Sequence, residues 1–249
     1  MIRRRIKCII INLVFGLSLF TLWMPLSHSV VISPVQLDLS RKSPVAGFTV
    51  TNDSAVTLTY QADVLSWTQI DGQDIQVATN DLIVTPPIVS IQPKGSQIFR
   101  IAFFKKSSHE LEQSYRIVLD DISADVTEKS DTGLNFRFNH NLPVFYAPLT
   151  SIDSVIWSVC ESQIAGKSCL QMENKGNRHS KIVKFTAFSA SAEETSSLSK
   201  TLLAGSSSQW IYTTKLGSEN TTGIKLITDK GPLTIILKDL PKSKMNNVP

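Results

Sequence analysis

The chain lacks the compact motifs from which most enzymes build an active site. No G-x-S-x-G, H-E-x-x-H, P-loop or G-x-G-x-x-G occurs in its 249 residues, and each of those motifs supplies a geometry that scattered residues do not. Histidine is scarce: of the four, His28 lies in the N-terminal segment, and His109 and His179 sit in polar, Lys-rich or turn surroundings and read as solvated loop residues. His140 falls on an apolar strand register and reads as a hydrogen-bonded strand residue. The adjacent carboxylates Asp120-Asp121 and Glu193-Glu194 point apart in an extended chain, as surface charge does. A site assembled from distant residues stays open, but the sequence leads us to expect no enzyme activity, no cofactor, no metal and no small-molecule substrate.

A clustered basic footprint is also missing, although the whole chain carries 25 Lys+Arg against 21 Asp+Glu. Four of the basic residues, Arg3, Arg4, Arg5 and Lys7, precede the apolar run Cys8 to Met24, which ends in Pro25-Leu-Ser-His-Ser29. This is the pattern of a secretory signal peptide over residues 1–29, cleaved after Ser29, with an uncleaved anchor as the alternative. Without the leader the formal charge is balanced, so nucleic acid is not an expected partner.

Cysteine is nearly absent too. Cys8 belongs to the leader, and Cys160 and Cys169 remain as an even pair in an exported chain, which points to a disulfide. A reduced pair and a metal pair are the alternatives, the second weakened by the lack of C-x-x-C spacing and of further ligands nearby.

What is present is strand periodicity broken by turns. Extended segments are read at Val30–Leu39, Gly47–Asn52, Thr57–Thr68, Leu82–Ile91, Gln97–Phe104 and Gln113–Asp120, with a turn at Asp71-Gly72. Pro86 and Pro87 forbid a helix there. A second set runs over Val155–Cys160, Ser168–Glu173, Ser180–Phe188, Ser208–Thr213, Gly223–Thr228 and Leu233–Lys238. Ser189–Lys200 has no apolar stripe and reads as a loop with at most one helical turn. The tail Pro241–Pro249 reads as frayed. The expected fold is all-β, with two sandwich domains over 30–148 and 149–249 joined by a short connector.

One stretch organises the rest. In Gly133–Pro148, Leu134, Phe136, Phe138, Leu142 and Val144 recur at every second position or its continuation, opposite Asn135, Arg137, Asn139 and Asn141. Alternation of this kind puts an apolar row on one face of a strand. The row either lines its own core or is lent to a partner.

Several segments together resemble the periplasmic pilus-assembly chaperones of the PapD-like family. They are Ile32-Ser-Pro-Val35, Phe48-Thr-Val-Thr-Asn52, Trp67 followed by Asp71-Gly72, Leu82-Ile-Val-Thr-Pro-Pro87, Ile91-Gln-Pro93, Gln97-Ile-Phe-Arg-Ile101, Ser114-Tyr-Arg-Ile117 and Leu142-Pro-Val-Phe-Tyr-Ala-Pro148. They stand in family order over most of residues 30–148, while the second half matches more loosely. The resemblance implies two immunoglobulin-like β-sandwich domains set like a boomerang, located in the periplasm. It also implies pilin subunits and an outer-membrane usher as partners, and a donor strand completing a pilin that lacks its last strand. Leu134, Phe136 and Phe138 match the donor row. Burial of three such groups contributes roughly 5 to 9 kcal/mol before ordering costs.

One departure is plain. Well-known members hold the pilin's C-terminal carboxylate with a basic pair in the cleft, and the corresponding positions here are Gln36 and Pro143. That places the chain with divergent, non-classical branches. Arg116 and Arg100 are the candidate anchors, since Arg binds a carboxylate bidentately; each is equally able to pair with Asp120 or Asp63. The alternative reading is a two-domain pilus component or adhesin.

Overall fold

The computed structural model describes residues 30–104, 110–123, 137–217 and 220–243, and over them the periodic segments become strands. The first half holds β1 (Val30–Ser33), β2 (Leu37–Leu39), β3 (Val45–Asn52), β4 (Leu58–Ile70), β5 (Gln73–Ala78), β6 (Leu82–Thr85), β7 (Ile88–Ile91), β8 (Ser96–Phe103), β9 (Gln113–Asp121) and β10 (Asn139–Tyr146). The second holds β11 (Val155–Cys160), β12 (Ser168–Asn174), β13 (Ser180–Phe188), β14 (Glu193–Leu202), β15 (Ser207–Tyr212), β16 (Gly223–Thr228) and β17 (Gly231–Ile236), then a 3-10 turn over Leu237–Asp239. The leader over residues 1–29, His109, Leu134 and Phe136 lie outside the described residues.

The first ten strands form two sheets, β1-β3-β8-β6 and β2-β10-β9-β4-β5, with β7 beside β4; the rest form β11-β12-β15 and β14-β13-β16-β17. Alternation explains how each pair of sheets closes. In β9, Tyr115, Ile117 and Leu119 are buried between the sheets, while Ser114, Arg116 and Val118 stand on the outer face. They join Phe48, Val50, Tyr60, Phe99, Ile101 and Val144 in one core. Trp157, Leu170, Met172, Phe185, Ile224 and Leu226 form a separate second core. Two sealed cores make two β-sandwich domains.

Local chemistry accounts for the turns and crossings. Asp71 and Gly72 both take positive φ, 51° and 76°, the two-residue hairpin turn that fits strand twist. Leu82–Ile91 is not one strand. Pro86 and Pro87 lack the N–H that a ladder needs, and the chain crosses from one sheet to the other between β6 and β7. Cys160 and Cys169 face each other in the β11–β12 register, with Cα atoms 5.0 Å apart, and are joined by a disulfide.

Two further sequence readings are corrected, and one strand had no reading at all. Ser189–Lys200 is largely strand: β14 is an edge strand paired with β13 from Ser180↔Leu202 to Phe188↔Glu193. An edge strand is held by main-chain bonds and needs no apolar stripe. β5 was hidden for the same reason, being an edge strand with all six residues exposed. The start of the tail is docked: Val159 N donates to Pro241 O at 2.9 Å and Ser243 N to Val159 O at 2.7 Å.

The connector after β10 is laid against the turn that follows β12. Lys175 and Gly176 donate their backbone N–H groups to Ser154 O at 2.8 and 3.0 Å, and Asn177 N to Ile152 O at 2.9 Å. The Asn177 side chain accepts from Ile152 N at 2.7 Å and donates to Thr150 O at 2.7 Å and Glu110 O at 2.9 Å. Gly176 is required by the close approach, since a Cβ there would stand 2.3 Å from Ile152 O.

Candidate functional site

The outer face of the β10-β9-β4 sheet turns toward the second sandwich. Registers place Leu65, Arg116 and Pro143 in one row across β4, β9 and β10, and Ser114 beside Phe145 in the next. Between the domains lies a cavity of about 530 Å³. Its walls include Gln36, Trp67, Asp74, Arg116, Pro143 and Phe145 from the first domain and Lys181 and Lys200 from the second. The two uncharged positions expected from sequence, Gln36 and Pro143, therefore do line the cleft. Arg116 sits directly across the ladder from Pro143 and puts a cation one strand away.

The Arg116 guanidinium carbon lies 3.6 Å from the centroid of the Trp67 ring, a cation–π stack that orients the group. Its Nε is buried with no hydrogen-bond partner. Burial pulls its pKa down, and Asp74 partly offsets this. Lys200 shows the same pattern: burial lowers its pKa and Asp74 raises it. Asp74 itself accepts from Gln69 Nε2 at 2.8 Å. Among the described residues no ion pair engages Arg116, Lys181 or Lys200. Three cations against one carboxylate give the cavity a net positive charge, and an anion is the ligand such a cavity favours.

Among the described residues neither Asp63 nor Asp120 pairs with an arginine. Asp63 accepts from Gln61 Nε2 at 2.9 Å, and Asp120 is bonded by Asn139. Arg100 stands exposed on β8, in the opposite sheet, beside Gly47 and Thr85, and does not line the cavity.

The cavity is held open by a polar and aromatic interface. Gln69 reaches into the second domain, donating to Thr201 O at 2.9 Å and accepting from Leu203 N at 2.9 Å and Ser206 Oγ at 3.2 Å. Trp67, Phe145 and Leu203 form a small buried cluster. Phe145 stacks on His179 with ring centroids 3.7 Å apart. His179 is thus no solvated loop residue: it is 3 % exposed, and Glu112 accepts from both its backbone N–H and its Nδ1. No local motif links Glu112 to His179, since 67 residues separate them.

β10 leads out of this cleft. Leu142 and Val144 are buried in their own core, and β2 covers the strand only at Val144–Tyr146. From Asn139 to Pro143 the strand has β9 on one side and, among the described residues, no strand on the other. Phe138, just before β10, is 64 % exposed. His140 faces inward toward Tyr60, with ring centroids 6.3 Å apart and its Nε2 buried without a partner, so the expected hydrogen bond of that nitrogen is not made. Lys200 stands on an edge strand with no apolar pattern, and nothing local marks either it or Lys181 on β13 as lining a cavity between domains.

Two β-sandwiches thus enclose a cation-lined cleft, and a strand runs from it that, among the described residues, has no neighbour on one side of Asn139–Pro143. Residues 29–151 match the pili and flagellar-assembly chaperones, PapD N-terminal domain. No curated protein sequence matches the chain. Solved structures do. A chain of the CsuC–CsuE chaperone–tip adhesion subunit pre-assembly complex, from archaic chaperone-usher Csu pili of Acinetobacter baumannii, superposes with a TM-score of 0.64 at 17 % identity, covering 87 % of this chain and 100 % of that one. The YadV chaperone gives 0.62 at 14 % identity, over 84 % and 99 % of the two chains. A chain of the Salmonella enterica SafA pilin–SafB chaperone complex gives 0.60 at 13 % identity, over 86 % and 99 %. At these identities the superpositions establish the fold. The match of residues 29–151 places the first domain in the family of pili and flagellar-assembly chaperones with a PapD N-terminal domain.

Proposed function

We propose that the protein is a periplasmic chaperone that completes pilus subunits by donating the segment that leads into β10, and passes them to an outer-membrane usher. The observation that carries this reading is the edge of Asn139–Pro143, which has no strand beside it among the described residues and begins at the mouth of the cation-lined cleft. An added strand takes main-chain hydrogen bonds from such an edge, and apolar side chains along it fill the gap in an incomplete sandwich. The exposed Phe138 supports the apolar row, to which Leu134 and Phe136 are assigned from the sequence. Arg116, stacked on Trp67 in the cleft, is the anchor for the subunit's terminal carboxylate and fixes the register of the two strands. Arg100, on the far sheet, is placed for no such contact. The protein on this reading catalyses no reaction.

The test is to replace Phe136 and Phe138 by Ser and follow subunit co-purification from periplasm. The expected result is loss of subunit with the chaperone still folded by near-UV circular dichroism; undiminished recovery of subunit would rule out strand donation by these residues.

A further inference from the structure

The second sandwich has a seam that its own chain closes only in part. β11 is the outer strand of one of its sheets and β17 of the other. At one end of β11 the tail lies alongside, Val159 N donating to Pro241 O and Ser243 N to Val159 O. Those two bonds fix which way the β11 backbone faces. Val159 turns its N–H and C=O away from β12, and because alternate residues of a strand face alike, Val155 and Trp157 do the same. Ser154 O, of the opposite parity, accepts from Lys175 and Gly176 on the β12 side. Among the described residues no strand lies beside Val155–Trp157 on the outward side. In its place is a cavity of about 250 Å³ walled by Val155, Trp157, Pro232 and Leu233, with Arg178 and Lys230 in its polar lining. Trp157 is 9 % exposed, and its Nε1 is buried with no hydrogen-bond partner.

We infer that this seam is a strand-addition site of the second domain, which takes a short, uncharged, extended segment of another polypeptide along Val155–Trp157 and seats one acceptor-bearing side chain against the Trp157 indole. No residue of the cleft between the domains takes part. An open ladder edge and a buried donor without a partner are both costly, and one extended peptide meets both. The tail shows that this edge accepts an extended chain, and the site continues the same ladder. The tail itself does not occupy it: paired in parallel with β11 at Val159↔Lys242, the described tail runs away from Trp157. Across the seam Pro232 has no N–H to offer, so the incoming chain adds to β11 and not to β17. Charge sets the chemistry of the occupant. Lys230 Nζ lies 3.5 Å from Asp153 and 3.3 Å from Asp229, and Arg178 Nε 3.6 Å from Glu112. Each cation already faces a carboxylate, so a further charge would enter without a free partner, whereas an amide oxygen accepts from the indole N–H and adds none.

The test uses the full chain and the blocked peptide acetyl-Thr-Val-Gln-Val-Thr-Val-amide, followed by ¹⁵N–¹H NMR at the backbone amides of Val155 and Trp157 and at the Trp157 indole, which Trp157→Phe identifies. The expected result is saturable shifts at all three groups, with the Gln peptide preferred over its Leu counterpart by about fivefold, the scale of one neutral hydrogen bond. Trp157→Phe is expected to bind the Gln and Leu peptides equally; a role for Trp157 in packing alone would weaken both and leave their ratio unmoved, which would overturn the indole contact. A peptide N-methylated at every residue is expected not to bind, and undiminished binding would mean a pocket for a side chain with no ladder. Tighter binding with Glu in place of Gln would overturn the uncharged occupant. Shifts seen only when the chain is cut after Ser243 would make its own last residues the occupant, and no shifts at these groups in either form would overturn the site.

Discussion

Glu112 holds His179 twice, accepting from its backbone N–H at 2.8 Å and from its Nδ1 at 2.6 Å, and so joins the last strand-pair of the first domain to the start of the second domain's β13. Both residues are buried, and His179 in turn supports Phe145 by stacking. Removing the carboxylate leaves two buried donors without a partner. Glu112→Ala is therefore expected to cost about 3 kcal/mol, read as a lowered urea midpoint and as new proteolytic cutting near the connector. Glu112→Gln retains an oxygen for the His179 amide and is expected to lose less. Equal stability of Glu112→Ala and wild type would mean that this contact does not hold the domains.

Arg116 is expected to separate stability from function. Its partners in the free protein are the Trp67 face and a distant Asp74, so its cation–π contact is set against desolvation. Arg116→Met should shift folding stability by no more than about 1 kcal/mol in either direction. Subunit recovery from periplasm should nonetheless collapse. Chemical denaturation and co-purification, run on the same variant, check both halves.

The inward-facing His140 gives a prediction in pH. Burial holds its pKa below the ordinary value, with Asp121 acting in the opposite sense. The unfolded chain takes up the proton near about pH 6.5, whereas the folded chain resists it. Protonation thus favours unfolding, and this residue's contribution to stability falls as pH drops below that value toward the folded pKa. Urea midpoints at pH 7.5 and 5.5 should fall further apart in wild type than in His140→Gln. An equal fall in both would show that His140 stays uncharged in both states over that range or is solvated when folded.

The Cys160–Cys169 bridge closes a short loop, with a sequence separation of 9. Loop-closure entropy gives about 2 to 3 kcal/mol for a ring of this size. Replacing both cysteines by Ala should lower the stability of the second domain by that amount and leave the first domain's transition unchanged. Differential scanning calorimetry on oxidised and doubly substituted protein measures it.

Much of the first domain was legible because its strands alternate cleanly. Tyr115, Ile117 and Leu119 sit at every second position, and so do the residues that β4 and β10 bury against them. Edge strands were harder. β5 and β14 are held by ladders to β4 and β13, and their side chains carry little pattern of their own. Arg116 could be singled out because an Arg in a strand beside the donor segment is unusual in charge and position. Its stack on Trp67, its neighbours Lys181 and Lys200, and the burial of Glu112 and His179 all arise from pairs far apart in the chain. Such contacts exist only after the two sandwiches dock, and no local spacing encodes them.

The connector has a consequence for how the molecule can be altered. Residues 150–154 are fastened along the Lys175–Asn177 turn by a run of hydrogen bonds on both backbone and side chain, with Gly176 admitting the close approach. This joint is a splint, not a swivel. Lengthening it by even two residues would put every one of those bonds out of step and release the lever that each sandwich exerts on the other, although neither core would be touched.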